Sequence, residues 1–143
     1  MARLSRALVL TGQKRETELF SDFTNNFLKT PVGDQLARNV NNNSIKQALK
    51  NLILTNQGER LFNYGIGGNL NLLLFENNVA ENLSRAEFLI RNTIEQYEPR
   101  IQLLQLIVTP SENNENAVNI TIVYNTINNS EPITITILFK RVR

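Results

Sequence analysis

The sequence predicts an α+β fold, in which three helices pack on a small C-terminal sheet, antiparallel or mixed, behind an N-terminal arm. Two patterns predict this fold. Apolar residues recur at helical spacing between residues 44 and 100, and runs of strand length rich in β-branched residues fill 101–143. Because 143 residues fit one domain, we expect an arm over 1–43 and a single α+β domain over 44–143.

The first helix is expected to begin at Ser44. Ser44 and Gln47 have the residue types and the spacing of a capping box, in which each side chain binds a free backbone N–H of the first turn. Apolar residues then recur on one helical face from Ile45 to Ile53. Gly58 suits a left-handed turn after the helix ends.

Two further helices are expected before residue 100. A glycine-rich loop at 63–68 leads into a short helix at about 70–76, and a third helix runs from about residue 82 or 84 to Tyr97. Pro99 lacks the N–H that would continue this helix, so the helix must stop before it.

Three strands are expected after the helices, at 101–109, 117–126 and 133–142. The first is apolar almost throughout, which favours a central position in the sheet. Residues 110–116 and 128–132 are polar or contain proline, and both segments are predicted to be loops.

The N-terminal arm has a mixed composition. Its aromatic residues Phe20, Phe23 and Phe27 favour a segment that lies on the domain rather than a free tail. The first 15 residues are expected to order only when a partner is present.

Composition excludes most catalytic designs. The chain has no cysteine and no histidine, so thiolate nucleophiles, imidazole bases and the usual transition-metal ligands are missing. We expect no catalytic residue, cofactor or metal site.

A net charge of +2 is too small to indicate nucleic acid as the main partner. The sequence shows no signal peptide and no apolar run of membrane-spanning length. The basic termini are either solvated or a contact for an acidic protein.

Particular residues bear on two alternatives to a binding role, a phosphate site and a hydrolase. The glycines at 65–68 follow a predicted helix rather than a strand, which favours a tight connection over a phosphate site. Glu59 and Glu98 are the best candidates for a carboxylate pair that hydrolyses peptidoglycan. Each lies close to an arginine, Arg60 or Arg100, and a cation favours the ionised carboxylate, the wrong state for a general acid.

The corner formed by Glu98, Pro99 and Arg100 is the most informative part of the sequence. A glutamate at a helix C-terminus faces the negative end of the helix dipole, which costs about 0.3–1 kcal/mol. Arg60, Arg100 or a cation on a partner protein could compensate. Because proline restricts the backbone, the corner would lose little entropy on binding.

An ordered set of short motifs resembles one protein family. The motifs are Asn51-Leu52-Ile53-Leu54-Thr55, Gly58-Glu59-Arg60, Phe62-Asn63, Gly67, Leu73-Leu74-Phe75-Glu76 and Tyr97-Glu98-Pro99-Arg100. Their order and spacing are similar to those of the baseplate wedge and sheath-initiator family of contractile-tail bacteriophages. The Glu-Pro-Arg run is also similar to that of the baseplate protein of type VI secretion systems.

The resemblance implies a structural role in the virion tail baseplate, assembled in the host bacterial cytoplasm as part of a six-fold structure. It implies contact with the helical core bundle of the wedge at Glu98, Pro99 and Arg100, with Arg60 beside them. It also implies a sheet to which tail sheath subunits add strands.

Strand addition is expected along the last strand, and tube-initiating proteins are a further possible partner. The residues expected at this site are Ile133, Ile135, Ile137, Phe139, Lys140 and Arg141. Nucleic acid and membrane are not expected as partners. The alternative is a lysozyme-like tail enzyme that hydrolyses peptidoglycan, a label some members of the family have carried.

Overall fold

A computed structural model describes residues 17–30, 33, 35–68, 70, 80–112, 114–127 and 129–140. These residues form an α+β fold, which confirms the predicted class. In chain order the elements are β1 (Ser21–Phe23), β2 (Arg38–Val40), α1 (Asn42–Leu54), α2 (Ala80–Tyr97), β3 (Ile101–Ser111), β4 (Asn114–Thr126) and β5 (Asn129–Lys140).

The described residues contain two helices, not the three predicted. The short middle helix was predicted at about 70–76, and only Leu70 of that segment is described, in helical conformation. The rest of that prediction lies outside the described residues. Leu70 itself is buried in the core.

The predicted start of α1 at Ser44 is wrong. The helix begins at Asn42, and Asn41 precedes it with φ 48° and no side-chain cap. The Asn41 side chain binds the arm instead: Oδ1 accepts from the N–H groups of Leu19 (2.9 Å) and Phe20 (3.4 Å), and Nδ2 donates to the Thr17 carbonyl (3.1 Å). Ser44 lies inside the helix, where its hydroxyl is buried without a hydrogen-bond partner in the described structure.

The C-terminal sheet is antiparallel with the strand order β3-β4-β5. The predicted central position of the 101–109 strand is therefore wrong, because β4 is central. β3 is apolar on both faces, but its outward Ile107 is exposed. Because apolar residues are common on protein surfaces as well as in cores, the apolar run did not show that this strand is buried on both faces.

The strands are longer than predicted and the loops are shorter. Pro110 lies within β3, opposite Val118, rather than in a loop. An edge strand tolerates this proline because the missing N–H would face away from the sheet. At the other end, Thr126 pairs with Asn129, so β4 and β5 join in a tight turn.

The core lies between the two helices and one face of the sheet. α1 and α2 contribute one apolar face each, and β4 contributes alternate residues. The fully buried members include Ile45, Leu49, Ile53, Ile90, Ile94, Ile120, Ile122 and Tyr124. Burying a side chain of this size contributes roughly 1.5–3 kcal/mol. No helix among the described residues is long and apolar enough to cross a membrane.

The described part of the arm contacts the domain through β1 and β2, but of the three aromatic residues that predicted this only Phe20 packs against the core, and Phe23 and Phe27 are exposed. β1 and β2 pair as a two-stranded antiparallel sheet. Gln47 of α1 joins them: its Nε2 donates to the Phe23 carbonyl (2.6 Å) and its Oε1 accepts from Asn39 Nδ2 (2.6 Å). The prediction about the first 15 residues lies outside the described structure.

Candidate functional site

The corner between α2 and β3 is fixed by backbone bonds on both sides. α2 ends at Tyr97, as predicted, and the Glu98 N–H still donates to the Ile94 carbonyl (2.9 Å). The Arg100 carbonyl accepts from the Ile127 N–H (3.1 Å), which ties the corner to the β4–β5 turn. The three residues of the corner are therefore held by the helix and the sheet together.

Glu98 and Arg100 form a bidentate ion pair inside the protein. Arg100 Nε donates to Glu98 Oε1 and Nη2 donates to Oε2, each at 2.6 Å. Glu98 is only 6% exposed, whereas 32% of the Arg100 side chain remains exposed. The hydrogen bond to Glu98 raises the Arg100 pKa, burial opposes this, and the charges of Glu98 and Asp22 add to it. Arg100 thus compensates the charge that Glu98 places against the helix dipole.

Arg60 is not part of this pair. It is exposed in the loop after α1, and no ion pair joins it to Glu98 in the described part of the chain. The loop nevertheless lies beside the end of α2, because Tyr97 Oη donates to the Gly65 carbonyl (2.8 Å). The structure therefore brings the Arg60 loop near the corner without joining their charges.

The arm covers one side of the corner. The Arg100 guanidinium lies over the Phe20 ring, 5.5 Å from its centroid, which is the geometry of a cation–π contact. The sequence did not predict this contact; it indicated only that Phe20, as one of the aromatic residues of the arm, lies on the domain. Arg100 consequently links the arm, the end of α2 and the start of β3.

Tyr124 lies under the corner with its side chain fully buried. Burial raises its pKa to about 12, and the negative charge of Glu98 acts in the same direction. Its hydroxyl has no hydrogen-bond partner among the described residues. Tyr124 therefore remains neutral at any physiological pH.

The two candidate carboxylates both accept hydrogen bonds from within the chain. Glu98 accepts two bonds from Arg100. Glu59 accepts from Asn56 N–H (2.9 Å) and Asn56 Nδ2 (2.7 Å), and the first of these bonds is the main cause of its lowered pKa. A lowered pKa is the wrong direction for a general acid. The described residues also contain no cluster of three acidic side chains that could hold a metal ion.

The glycine-rich loop forms a tight connection. Gly67 has φ 126°, and a Cβ at this position would collide with the Thr55 carbonyl oxygen and the backbone of Asn56. Gly68 N–H donates to the same Thr55 carbonyl (3.2 Å). The loop backbone is thus packed against the end of α1.

The sheet has two edges, and each edge strand contains a proline and a register shift: in β5 these are Pro132 and a shift between Asn129 and Ile133. β5 runs from Asn129 to Lys140 at one edge. The side chains of Ile133, Ile135, Ile137 and Phe139 face the core, Lys140 is exposed, and Arg141 lies outside the described residues. β3 forms the other edge, where register shifts occur after Leu103 and after Pro110.

Comparison with known proteins identifies the family. The model of a family described as baseplate wedge protein gp25 matches residues 40–131, more than half of the chain. A search of curated proteins finds no match.

Two solved structures share the fold. One is described as a tail lysozyme from Geobacter sulfurreducens, with 22% identity and a TM-score of 0.63 over 69% of this chain and 89% of that one. The other is the baseplate of the anti-feeding prophage, with 19% identity and a TM-score of 0.60 over 87% of each chain. These two structures show the fold, and the family match shows that this chain belongs to the gp25 baseplate wedge family, structural proteins of the contractile tail.

Proposed function

We propose that this chain attaches to the wedge core bundle at the Glu98-Pro99-Arg100 corner and starts sheath assembly by accepting strands from sheath subunits along β5. The observation that carries the proposal is the edge of β5 from Ile133 to Lys140, along which β5 pairs with β4 without interruption. A strand that adds to such an edge gains affinity from backbone hydrogen bonds.

β5 is better suited to strand addition than β3. Between Ile133 and Lys140 it pairs with β4 without a register shift and contains no proline, so its outer edge is a continuous row of backbone donors and acceptors. The corresponding run in β3 is shorter, from Gln105 to Thr109, because a register shift follows Leu103 and Pro110 lacks an N–H. β5 also has a register shift and a proline, Pro132, but both lie before Ile133.

The side chains of β5 are also consistent with strand addition. Ile137 and Phe139 are buried in the core and hold the strand in place. Lys140 is exposed at the end of the strand, where its charge opposes pairing between free copies. The edge is therefore rigid before its partner arrives.

At the corner, Arg100 is the group offered to the wedge. Glu98 is buried and its carboxylate is occupied, whereas a third of the Arg100 side chain faces solvent. A guanidinium has five N–H donors and Glu98 takes two, so donors remain for a partner carboxylate or carbonyl. Pro99 is exposed beside it, and Arg60 adds a second cation nearby.

The same proposal covers the wider assembly. The chain acts as a six-fold component of the tail baseplate, assembled in the host cytoplasm, with the wedge and sheath subunits as partners and tube-initiating proteins as possible neighbours. The arm over 1–43 and the domain over 44–143 act together in it. Nucleic acid and membrane are not partners, and no cofactor is needed.

The alternative, a peptidoglycan hydrolase, has one point in its favour, the description of the Geobacter structure as a tail lysozyme. The bonds at Glu59 and Glu98 argue against it here, because the hydrogen bonds from Asn56 lower the pKa of Glu59 and Arg100 occupies both oxygens of Glu98. We propose that the chain is not an enzyme. Purified protein should leave no cleared zone on a peptidoglycan gel, and clearing that disappears in Glu98→Gln would contradict this.

Adjacent proline substitutions in β5 test strand addition. Backbone N–H groups of neighbouring residues in a strand point to opposite edges, so of Thr134→Pro and Ile135→Pro one removes a bond to β4 and the other removes a donor at the free edge. The edge variant should keep its melting temperature but fail to nucleate sheath in an assembly mixture, as seen by electron microscopy. Ile135→Ala controls for the lost side chain, and normal sheath on the stable proline variant would refute the proposal.

A further inference from the structure

The loop from Gly58 to Gly65 presents a row of large apolar side chains to solvent. Phe62 is 99% exposed, and Leu61 and Tyr64 are also exposed. Arg60 lies in the same row. Aromatic residues and arginine are the types that dominate binding energy at protein interfaces.

The loop is ordered by many bonds despite its exposure. Gly58 N–H donates to the Tyr64 carbonyl (2.9 Å) and closes the loop at its base. The Glu59 carboxylate binds Asn56 on one side, and Tyr97 Oη binds Gly65 on the other. The apolar side chains therefore stand on a backbone that is already fixed, which lowers the entropy lost on binding.

Phe62 adopts a backbone conformation that its side chain does not favour. Its φ is 69°, at the third position of a turn closed by the bond from Asn63 N–H to the Arg60 carbonyl (3.3 Å). Glycine or asparagine normally occupies such a position. Because the ring is almost completely exposed, packing within the chain does not compensate the strain. Strain of this kind persists mainly at functional sites.

The charge of the loop indicates the chemistry of its partner. Glu59 precedes Arg60, but both of its carboxylate oxygens accept hydrogen bonds from Asn56, which lower its pKa and hold its negative charge at the base of the loop. Arg60 is exposed and has no ion pair among the described residues. A surface that accepts this loop must bury aromatic rings and meet one cation at its side.

We propose that the loop 58–65 is a second anchor, in which Phe62 and its neighbours enter an apolar pocket with a carboxylate at its rim on a neighbouring wedge protein. The proposal rests on the wedge role above and adds a site that is separate from the Glu98–Arg100 pair. The bond between Tyr97 and Gly65 places the loop beside that corner, so one partner surface can engage both. A single cation is too few to indicate a membrane surface.

Substitution of Phe62 tests the anchor without disturbing the fold. Phe62→Gly and Phe62→Asn relieve the strain, so both variants should melt at or above the wild-type temperature. Their affinity for a purified wedge complex that lacks this chain should fall at least about 30-fold, the loss typical of a central aromatic contact. Phe88→Ala, which removes an exposed aromatic side chain from α2, is the matched control and should bind as wild type.

Arg60→Gln tests the proposed carboxylate at the rim of the partner's pocket. The wild-type affinity should fall as salt rises, and the variant should bind more weakly and depend less on salt. Three results would overturn the anchor while leaving the wedge role intact. They are wild-type affinity of Phe62→Gly for the wedge complex, a loss of affinity in Phe88→Ala equal to that in Phe62→Gly, and binding of the wild type to anionic phospholipid vesicles. Wedge complex that does not bind even the wild type would contradict the wedge role itself.

Discussion

Removing Arg100 should destabilise the fold before any partner is involved. Arg100→Met leaves the Glu98 carboxylate, 6% exposed, without its cation. Breaking a buried pair in this way costs about 3–5 kcal/mol. Because 32% of the Arg100 side chain is exposed, water can reach the remaining charge, and we expect the lower end of this range. Loss of the contact with Phe20 adds about 0.5–1 kcal/mol.

A double-mutant cycle separates the pair from the rest of the effect. Glu98→Gln keeps a neutral acceptor for Arg100 and should cost about 1–2 kcal/mol. The double variant has no buried charge left, so its loss should fall about 2 kcal/mol short of the sum of the single losses. Urea unfolding measures all four proteins, and about 3 kcal/mol corresponds to a fall in Tm of roughly 10 °C.

Two results would refute this reasoning. An Arg100→Met variant as stable as wild type would show that Glu98 does not depend on the guanidinium. Additive single losses would show that the two side chains act independently. If the cycle agrees with this expectation, Arg100→Lys is a better variant than Arg100→Met for testing the wedge contact, because it retains the charge that Glu98 needs.

Two further substitutions test the core and the loop connection. Tyr124→Phe removes a hydroxyl without a described partner, so stability near neutral pH should change by less than about 1 kcal/mol. Because the folded-state pKa of Tyr124 is about 12 against an ordinary 10.0, the wild type should lose stability as pH rises from 10 to 12, and Tyr124→Phe should lose less; equal alkaline curves would refute this. Gly67→Ala should cost about 3 kcal/mol or more, measured in urea, because the new methyl meets the Thr55 carbonyl. Ala at Gly33, where a Cβ has open space, is the control, and equal losses would contradict the collision.

The parts of the fold that follow from local sequence were predicted well. The apolar spacing of α1 and α2, the stop before Pro99 and the left-handed Gly58 depend on residues close in the chain, and the structure confirms them. The same holds for the three C-terminal strands, although each of them extends beyond its predicted bounds.

The errors concern contacts between distant residues. α1 begins before Ser44 because Asn41 binds Thr17, Leu19 and Phe20, which lie more than 20 positions away. Strand order depends on which hairpins form, and the apolar run of β3 carries no information about its neighbours. The sequence does not distinguish Arg60, Arg100 and a cation on a partner protein as the partner of Glu98, because only the geometry of the corner does so.

The two edges of the C-terminal sheet are interrupted at different places: β5 only before Ile133, and β3 both after Leu103 and at Pro110. If strands join only at the uninterrupted run of β5, each copy can extend in one sense around a ring. A ring of such copies would then impose a single handedness on the first layer built upon it. The polarity of the tail would thus follow from where the interruptions lie in the two edge strands.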